Sequence, residues 1–149
     1  MHFVRAESIY SFLLILIATT LLASCDRPAQ VMTIGDSNGA AKDGWVVQLQ
    51  ELWADAEIYN YAIPGNTIGF DNLGQQRLNT RRNLFDYLGD VHQKINRLDH
   101  IILMLGTNDC KAVFSNRQAE VPNHRDSLLS DMVESVYQNP LPIIWLVTP

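Results

Sequence analysis

Short apolar runs alternate with helical segments along this chain, and this alternation restricts the fold more than any other feature. The apolar runs span 31–34, 58–62, 100–105 and 143–147. Between them, apolar residues recur at helical spacing in 45–53, 81–98 and 126–139, and 68–80 is expected to be a loop. Strands separated by helices are typical of a parallel sheet that helices cover on both faces. We therefore predict an α/β fold.

The composition indicates one globular domain and excludes several classes of protein. The chain has 149 residues, of which 47% are hydrophobic. Its net charge is -5, and acidic and basic residues are interspersed along the sequence. The sequence therefore has no cluster of basic residues of the kind that would predict a nucleic-acid partner. A nucleotide- or flavin-binding domain would share the strand-helix alternation, but the G-x-G-x-x-G and P-loop motifs are absent from the sequence.

The first 25 residues differ from the rest of the chain. Arg5 precedes an apolar run at 12–23, and small residues then lead to Cys25, a layout typical of an export signal. The run is shorter than the roughly 20 residues that a membrane-spanning helix needs. Because "LLASC" also resembles the lipobox of bacterial lipoproteins, we predict a signal peptide at 1–24 and lipidation of Cys25. The domain at 25–149 would then be exported and anchored by lipid to the bacterial cell envelope, in contact with the membrane.

Three polar motifs follow three of the apolar runs. Gly35-Asp36-Ser37 follows the first, Asn60 with Gly65 marks the end of the second, and Gly106-Thr107-Asn108-Asp109 follows the third. Taken singly, these residues suit helix caps and turns. Because the carboxyl ends of parallel strands lie at one edge of a sheet, the three motifs are predicted to converge there. A hydroxyl, a backbone N–H and a carboxamide would then share one pocket.

Together these motifs resemble those of the SGNH hydrolases, also called the GDSL family. The resemblance implies a doubly wound, flavodoxin-like sheet in three layers and a serine ester hydrolase that works through an acyl-enzyme. By the same resemblance, Ser37 is the nucleophile, the backbone N–H groups of Ser37 and Gly65 are oxyanion-hole donors, and the Asn108 side chain is the third donor. Asp36 and Asp109 are interpreted as structural residues that hold turns. No metal or organic cofactor is implied.

The "MLGTNDCKAVF" stretch is similar to the arylesterase-type branch of this family, which points to a small-molecule ester substrate, such as an acetyl or aryl ester or an acylated carbohydrate. Residues that follow the motifs are predicted to form the pocket walls, namely Asn66, Thr67, Phe70 and 111–114. Cys110 is interpreted as a small packing residue, and with Cys25 lipidated it has no disulfide partner.

Two features depart from the family. Asn38 stands where a leucine is usual, and no Asp-x-x-His motif, which carries the family's catalytic histidine, occurs in the sequence. All four histidines are interpreted as solvated residues: His2, His92, His100 and His124. The last apolar run also has no later strand or helix to cover it, so it would form an exposed edge. These features predict a C-terminally incomplete hydrolase, without the last strand and helix of the fold and impaired by the missing base.

A non-catalytic alternative stays open. The chain would then be an envelope lipoprotein that keeps the pocket in order to bind acylated sugars or peptidoglycan. The missing histidine is the feature that favours this alternative over an esterase.

Overall fold

A parallel sheet organises the part of the protein that the structure describes. The computed structural model describes residues 27–136, 138 and 140–149. Its four strands are β1 (Gln30–Gly35), β2 (Glu57–Asn60), β3 (His100–Met104) and β4 (Ile143–Val147). They are arranged in the order β2-β1-β3-β4, and every neighbouring pair is parallel. The predicted α/β architecture is therefore confirmed.

In the described residues, four α-helices and three 3-10 segments connect the strands. The helices are α1 (Ser37–Ala40), α2 (Trp45–Leu52), α3 (Thr80–Lys94) and α4 (Val121–Ser135). The 3-10 segments are Asn72–Gly74, Gln76–Leu78 and Ala112–Glu120. The helix predicted at 81–98 was too long, because the backbone becomes extended at Ile95, although Leu98 still reaches the core. The last predicted helix began too late, since Pro122 in its first turn is compatible with helix initiation.

The strand register assigns opposite faces of the sheet to different helices. Met32 lies beside Ile101, and Ile34 lies beside Leu103, so these side chains share one face. That face forms the main core together with α3 and α4, including Leu84, Leu88, Val91, Leu128 and Met132. Helix α2 lies on the other face of the sheet. The structure therefore has the three predicted layers, which are α2, the sheet, and α3 with α4. All six residues of β1 are buried because the strand has a neighbour on each side.

β4 is an edge strand with apolar side chains in contact with solvent. It pairs with β3, and no other strand in the described part of the chain lies along its second edge. Trp145 and Leu146 are each 50% exposed. On the α2 face, Trp145 and Val147 border an open groove of about 340 Å³ together with Leu52, which is 87% exposed. The predicted exposed apolar edge is confirmed.

The predictions about the N-terminus fall outside the described residues. Neither the signal peptide at 1–24 nor the lipidation of Cys25 lies in the part of the chain that the structure describes. Within the described ranges, no helix has both the length and the apolar character needed to cross a membrane.

Candidate active site

Ser37 is exposed at the carboxyl end of the central strand. It is the first residue of α1, and only Asp36 separates it from β1. The helix cap is Asp36, whose Oδ1 accepts a hydrogen bond from the Asn38 N–H at 2.9 Å. The alternative interpretation of Ser37 as the cap is therefore wrong, whereas the structural interpretation of Asp36 is confirmed. The Ser37 hydroxyl is left accessible to a ligand from solvent.

The second motif forms a turn that requires an unusual backbone conformation. Gly65 has φ +88°, in the left-handed region that glycine adopts with little strain. Its carbonyl oxygen accepts a hydrogen bond from the Asn72 Nδ2 at 2.6 Å, which holds the turn in place. Within the described ranges, the backbone N–H groups of Gly65 and Ser37 donate to no protein acceptor. Both N–H groups are thus available to an external acceptor.

Two asparagines connect the three motif-bearing loops. The Asn66 Nδ2 donates to the Gly35 carbonyl oxygen at 3.3 Å, and the Asn108 Nδ2 donates to the Asn66 carbonyl oxygen at 2.9 Å. Both side chains are buried. The loops after β1, β2 and β3 therefore meet at one edge of the sheet, as predicted from the topology. Because a carboxamide nitrogen has two N–H groups, Asn108 keeps a second donor beyond the bond to Asn66.

Asp109 ties the third loop to the second. Its side chain is completely buried, and Oδ1 and Oδ2 each lie 3.0 Å from the Ile68 nitrogen, whose N–H donates to them. Burial raises the pKa of Asp109 to about 6, and the negative charge of Asp36 acts in the same direction. The N–H groups of Ile68 and Gly69 oppose this increase by donating to the carboxylate. The structural interpretation of Asp109 is confirmed.

The predicted pocket walls are mostly wrong. Asn66, Thr67 and Phe70 have no exposed surface, so they cannot line an open pocket. Phe70 instead stacks on Phe114, with 4.4 Å between the ring centroids, and forms a local core beneath the second and third loops. Cys110 is exposed, so its interpretation as a packing residue is also wrong.

The described histidines lie in three different surroundings. His100 pairs with Val31 at the amino end of the sheet, opposite the Ser37 edge, as predicted. His92 is exposed on α3. His124 was predicted to be solvated, but it lies within α4 and packs edge-on against Phe70 at 5.0 Å between ring centroids. Burial lowers the pKa of His124, and the positive charge of Arg81 acts in the same direction.

Sequence reasoning missed the cross-linking roles of Asn66 and Asp109. Their partners lie 31 and 41 residues away along the chain, and no local pattern specifies such pairs. The available signal was position along the chain, because Asn66 directly follows Gly65 and Asp109 ends the third motif. Among the residues that the structure describes, no three His, Cys, Asp or Glu side chains are grouped to hold a metal ion.

This fold and site define an α/β domain that presents a serine at the end of its central parallel strand. The family model for GDSL-like lipases and acylhydrolases matches residues 31–149, and the chain belongs to this family. Two solved structures illustrate the similarity. The inhibitor-bound aryl esterase of M. smegmatis is 26% identical with a TM-score of 0.59, covering 81% of this chain and 64% of that one. The carbohydrate acetylesterase Est24 from Sinorhizobium meliloti is 24% identical with a TM-score of 0.62, at the same coverage of 81% and 64%.

The chain spans less than two thirds of the length of these two structures, 64% in each case. No curated protein matches the sequence significantly. Family membership therefore rests on the sequence model, and the solved structures establish the shared fold.

Proposed function

We propose that this edge of the sheet is the acyl-transfer site of a serine esterase that acts on small acyl esters. One observation carries the proposal: hydrogen bonds through Asn66 and Asn108 join the loops after three adjacent strands, beside the exposed Ser37. The names of the similar structures, an aryl esterase and a carbohydrate acetylesterase, support aryl and acetyl esters as the substrate class.

In the proposed reaction, the Ser37 Oγ attacks the ester carbonyl carbon and loses its proton to a base. The resulting tetrahedral oxyanion accepts hydrogen bonds from the N–H groups of Ser37 and Gly65 and from the Asn108 carboxamide. The intermediate then collapses, the alcohol leaves with a proton, and water hydrolyses the acyl-enzyme. We assign the base to none of the described histidines. His100 lies at the opposite end of the sheet, His92 lies in the last turn of α3, which leads to that same end, and His124 packs against Phe70.

Covalent labelling with a fluorophosphonate tests this proposal. Imidazole is added as an external base, so that labelling reports the serine and its oxyanion donors. We expect labelling that disappears in Ser37→Ala and persists in Ser115→Ala, a matched control because Ser115 is also exposed. Replacing Asn108 by Ala should slow labelling by about 100-fold or more, the usual effect of losing an oxyanion donor. Equal labelling of wild type and Ser37→Ala would refute the proposal.

The second candidate function is binding without catalysis. It is favoured by the position of His100, which pairs with Val31 at the opposite end of the sheet from Ser37. A non-catalytic lipoprotein would bind acetylated sugars or peptidoglycan fragments with an affinity that Ser37→Ala leaves unchanged. Calorimetric titration with O-acetylated muropeptides measures this affinity. Tight binding without labelling at Ser37 would favour this function over the esterase.

We also propose that the protein is exported and carries lipid on Cys25, after removal of residues 1–24. The support is the lipobox-like "LLASC" stretch after an apolar run. Metabolic labelling with an alkyne-tagged fatty acid tests this. Labelling should be lost in Cys25→Ala, because the thiol that would carry the lipid is removed. Cys110→Ala is the control, and it should keep the label because Cys110 is the other cysteine of the chain and does not follow the "LLAS" residues. Labelling that survives in Cys25→Ala would refute lipidation at this residue.

A further inference from the structure

We propose that Asn66 is a positioning residue that sets the spacing between the nucleophile and its oxyanion donors. The inference rests on the proposed function, because it concerns the geometry of the same site. Asn66 follows Gly65 directly and contacts both of the other motif-bearing loops. Asn66 contacts all three loops, whereas Asp109 joins only the second and the third.

The contacts of Asn66 reach each of the three loops. Its Nδ2 donates to the carbonyl oxygen of Gly35, two residues before Ser37. Its own carbonyl oxygen accepts from the Asn108 Nδ2, and its backbone N–H donates to the Ile63 carbonyl oxygen at 3.0 Å. A displacement of Asn66 would therefore move the donor at Gly65, rotate the Asn108 carboxamide and release the end of β1.

Residue 66 needs an amide donor because its side chain faces the Gly35 carbonyl oxygen. This oxygen accepts from the Ile63 N–H at 3.1 Å and from the Asn66 Nδ2 at 3.3 Å, which uses both of its lone pairs. An aspartate carboxylate at residue 66 has the same size but cannot donate, and its oxygen would face the Gly35 oxygen. An alanine would leave the Gly35 oxygen with one partner.

Stability alone does not account for the asparagine. Asn66 is completely buried, and its Oδ1 accepts no hydrogen bond from any residue in the described ranges. A buried acceptor without a partner is unfavourable, and an apolar side chain of similar shape would avoid that penalty. The side chain therefore contributes chiefly through the direction of its Nδ2 bond, which fixes one loop relative to another.

The Asn108 carboxamide depends on this arrangement. One of its N–H groups is directed to the Asn66 carbonyl oxygen at 2.9 Å, which fixes the rotation of the amide plane. The second N–H group is the one that the proposed function assigns to the oxyanion. Small displacements of reacting groups cost large factors in rate, on the order of 100-fold for about 1 Å. We therefore expect changes at Asn66 to slow acylation by about 10- to 100-fold.

The experiment compares Asn66→Ala and Asn66→Asp with Asn79→Ala. Asn79 is a matched control, because it is also a buried asparagine, lies in the same connection and donates to a backbone oxygen, that of Gly69. Fluorophosphonate labelling at Ser37 with imidazole is measured over a range of probe concentrations, which separates the maximal rate from probe affinity. Thermal unfolding is recorded for each variant. We expect the maximal rate to fall in both Asn66 variants but not in Asn79→Ala, with probe affinity unchanged.

Equal maximal rates in wild type and both Asn66 variants would overturn the proposal, as would an equal fall in Asn79→Ala. Exchange of the Asn108 side-chain amide protons, followed by NMR, keeps the inference separate from the proposed function. If wild type is not labelled, the esterase proposal fails. Slower exchange of one Asn108 proton in wild type than in Asn66→Ala would then still support positioning, and identical exchange would overturn it.

Discussion

Asp109 should make the stability of this protein fall as the pH rises from 4 to 7. The carboxyl group is completely buried, and burial raises its pKa from the ordinary 3.8 to about 6. Between these values the folded protein keeps a proton that the unfolded chain has released. Stability from this group is therefore fully present below pH 3.8 and is lost as the pH rises through about 6.

The size of the effect follows from the difference between the two pKa values. One pKa unit corresponds to about 1.4 kcal/mol, so the shift from 3.8 to about 6 amounts to about 3 kcal/mol over the whole range. Between pH 4 and pH 7 we expect this contribution to the free energy of unfolding to fall by about 2 to 3 kcal/mol. This is a large share of the 5 to 15 kcal/mol that typically stabilises a domain, so urea unfolding should detect it.

The assay compares wild type with Asp109→Asn at pH 4, 5, 6 and 7. The free energy of unfolding of wild type minus that of the variant should decrease by about 2 to 3 kcal/mol over this range. Subtraction removes the opposite contribution of carboxylates with lowered pKa values, such as Asp71 and Asp99, which both proteins share. Those groups stabilise the fold above their unfolded pKa, and their contribution is lost as the pH falls.

Asp36→Asn is the control for the charge that faces Asp109. The Asp36 carboxylate adds to the increase in the pKa of Asp109, so its removal should make the pH dependence shallower. The reasoning would be refuted if the free energy of unfolding differed between wild type and Asp109→Asn by the same amount at every pH from 4 to 7. It would mean that the carboxylate is solvated or fully compensated by the Ile68 N–H.

Three further predictions concern packing. Phe70→Ala should lower the free energy of unfolding by about 3 to 5 kcal/mol, because the buried ring stacks on Phe114; a loss below about 1 kcal/mol in urea unfolding would contradict that packing. A Cβ on residue 69 would overlap the His124 ring, so Gly69→Ala should destabilise by about 1 to 3 kcal/mol. Adding His124→Ala removes the ring but keeps its Cβ, which would also lie too close at 2.7 Å, so it should recover only part of that loss; strictly additive losses would argue against the contact. Leu52→Lys should change stability by less than about 0.5 kcal/mol, because Leu52 is 87% exposed; a larger loss would show a missed contact.

The architecture was largely predictable, since it depends on local patterns. The apolar run at 31–34 is a strand because it is short, apolar and ends in Gly35-Asp36-Ser37. Parallel pairing then follows from the alternation of strands and helices, and it brings the three motifs to one edge. The boundaries were less predictable. Leu98 continues the helical spacing of α3, yet it reaches the core from an extended segment after the helix.

The solvent exposure of individual side chains could not be predicted from their place in the sequence. Phe70 follows a motif, as a pocket wall would, but it is buried because Phe114 comes from a different loop to stack on it. His124 was predicted to be solvated, but its position in α4 places it in contact with the Phe70 ring. In each case the contacting residue lies in another part of the chain, so composition and local spacing could not predict the contact.

The amino-acid sequence by itself determined the family and the order of elements, because periodicity and the residues that follow each strand are local properties. Only the tertiary structure decided that Asn66 and Asp109 bind the loops together, since their partners are 31 and 41 residues distant. A hydrogen bond depends on direction and on distances of about 3 Å, which exist only once the sheet has brought the three loops to one edge.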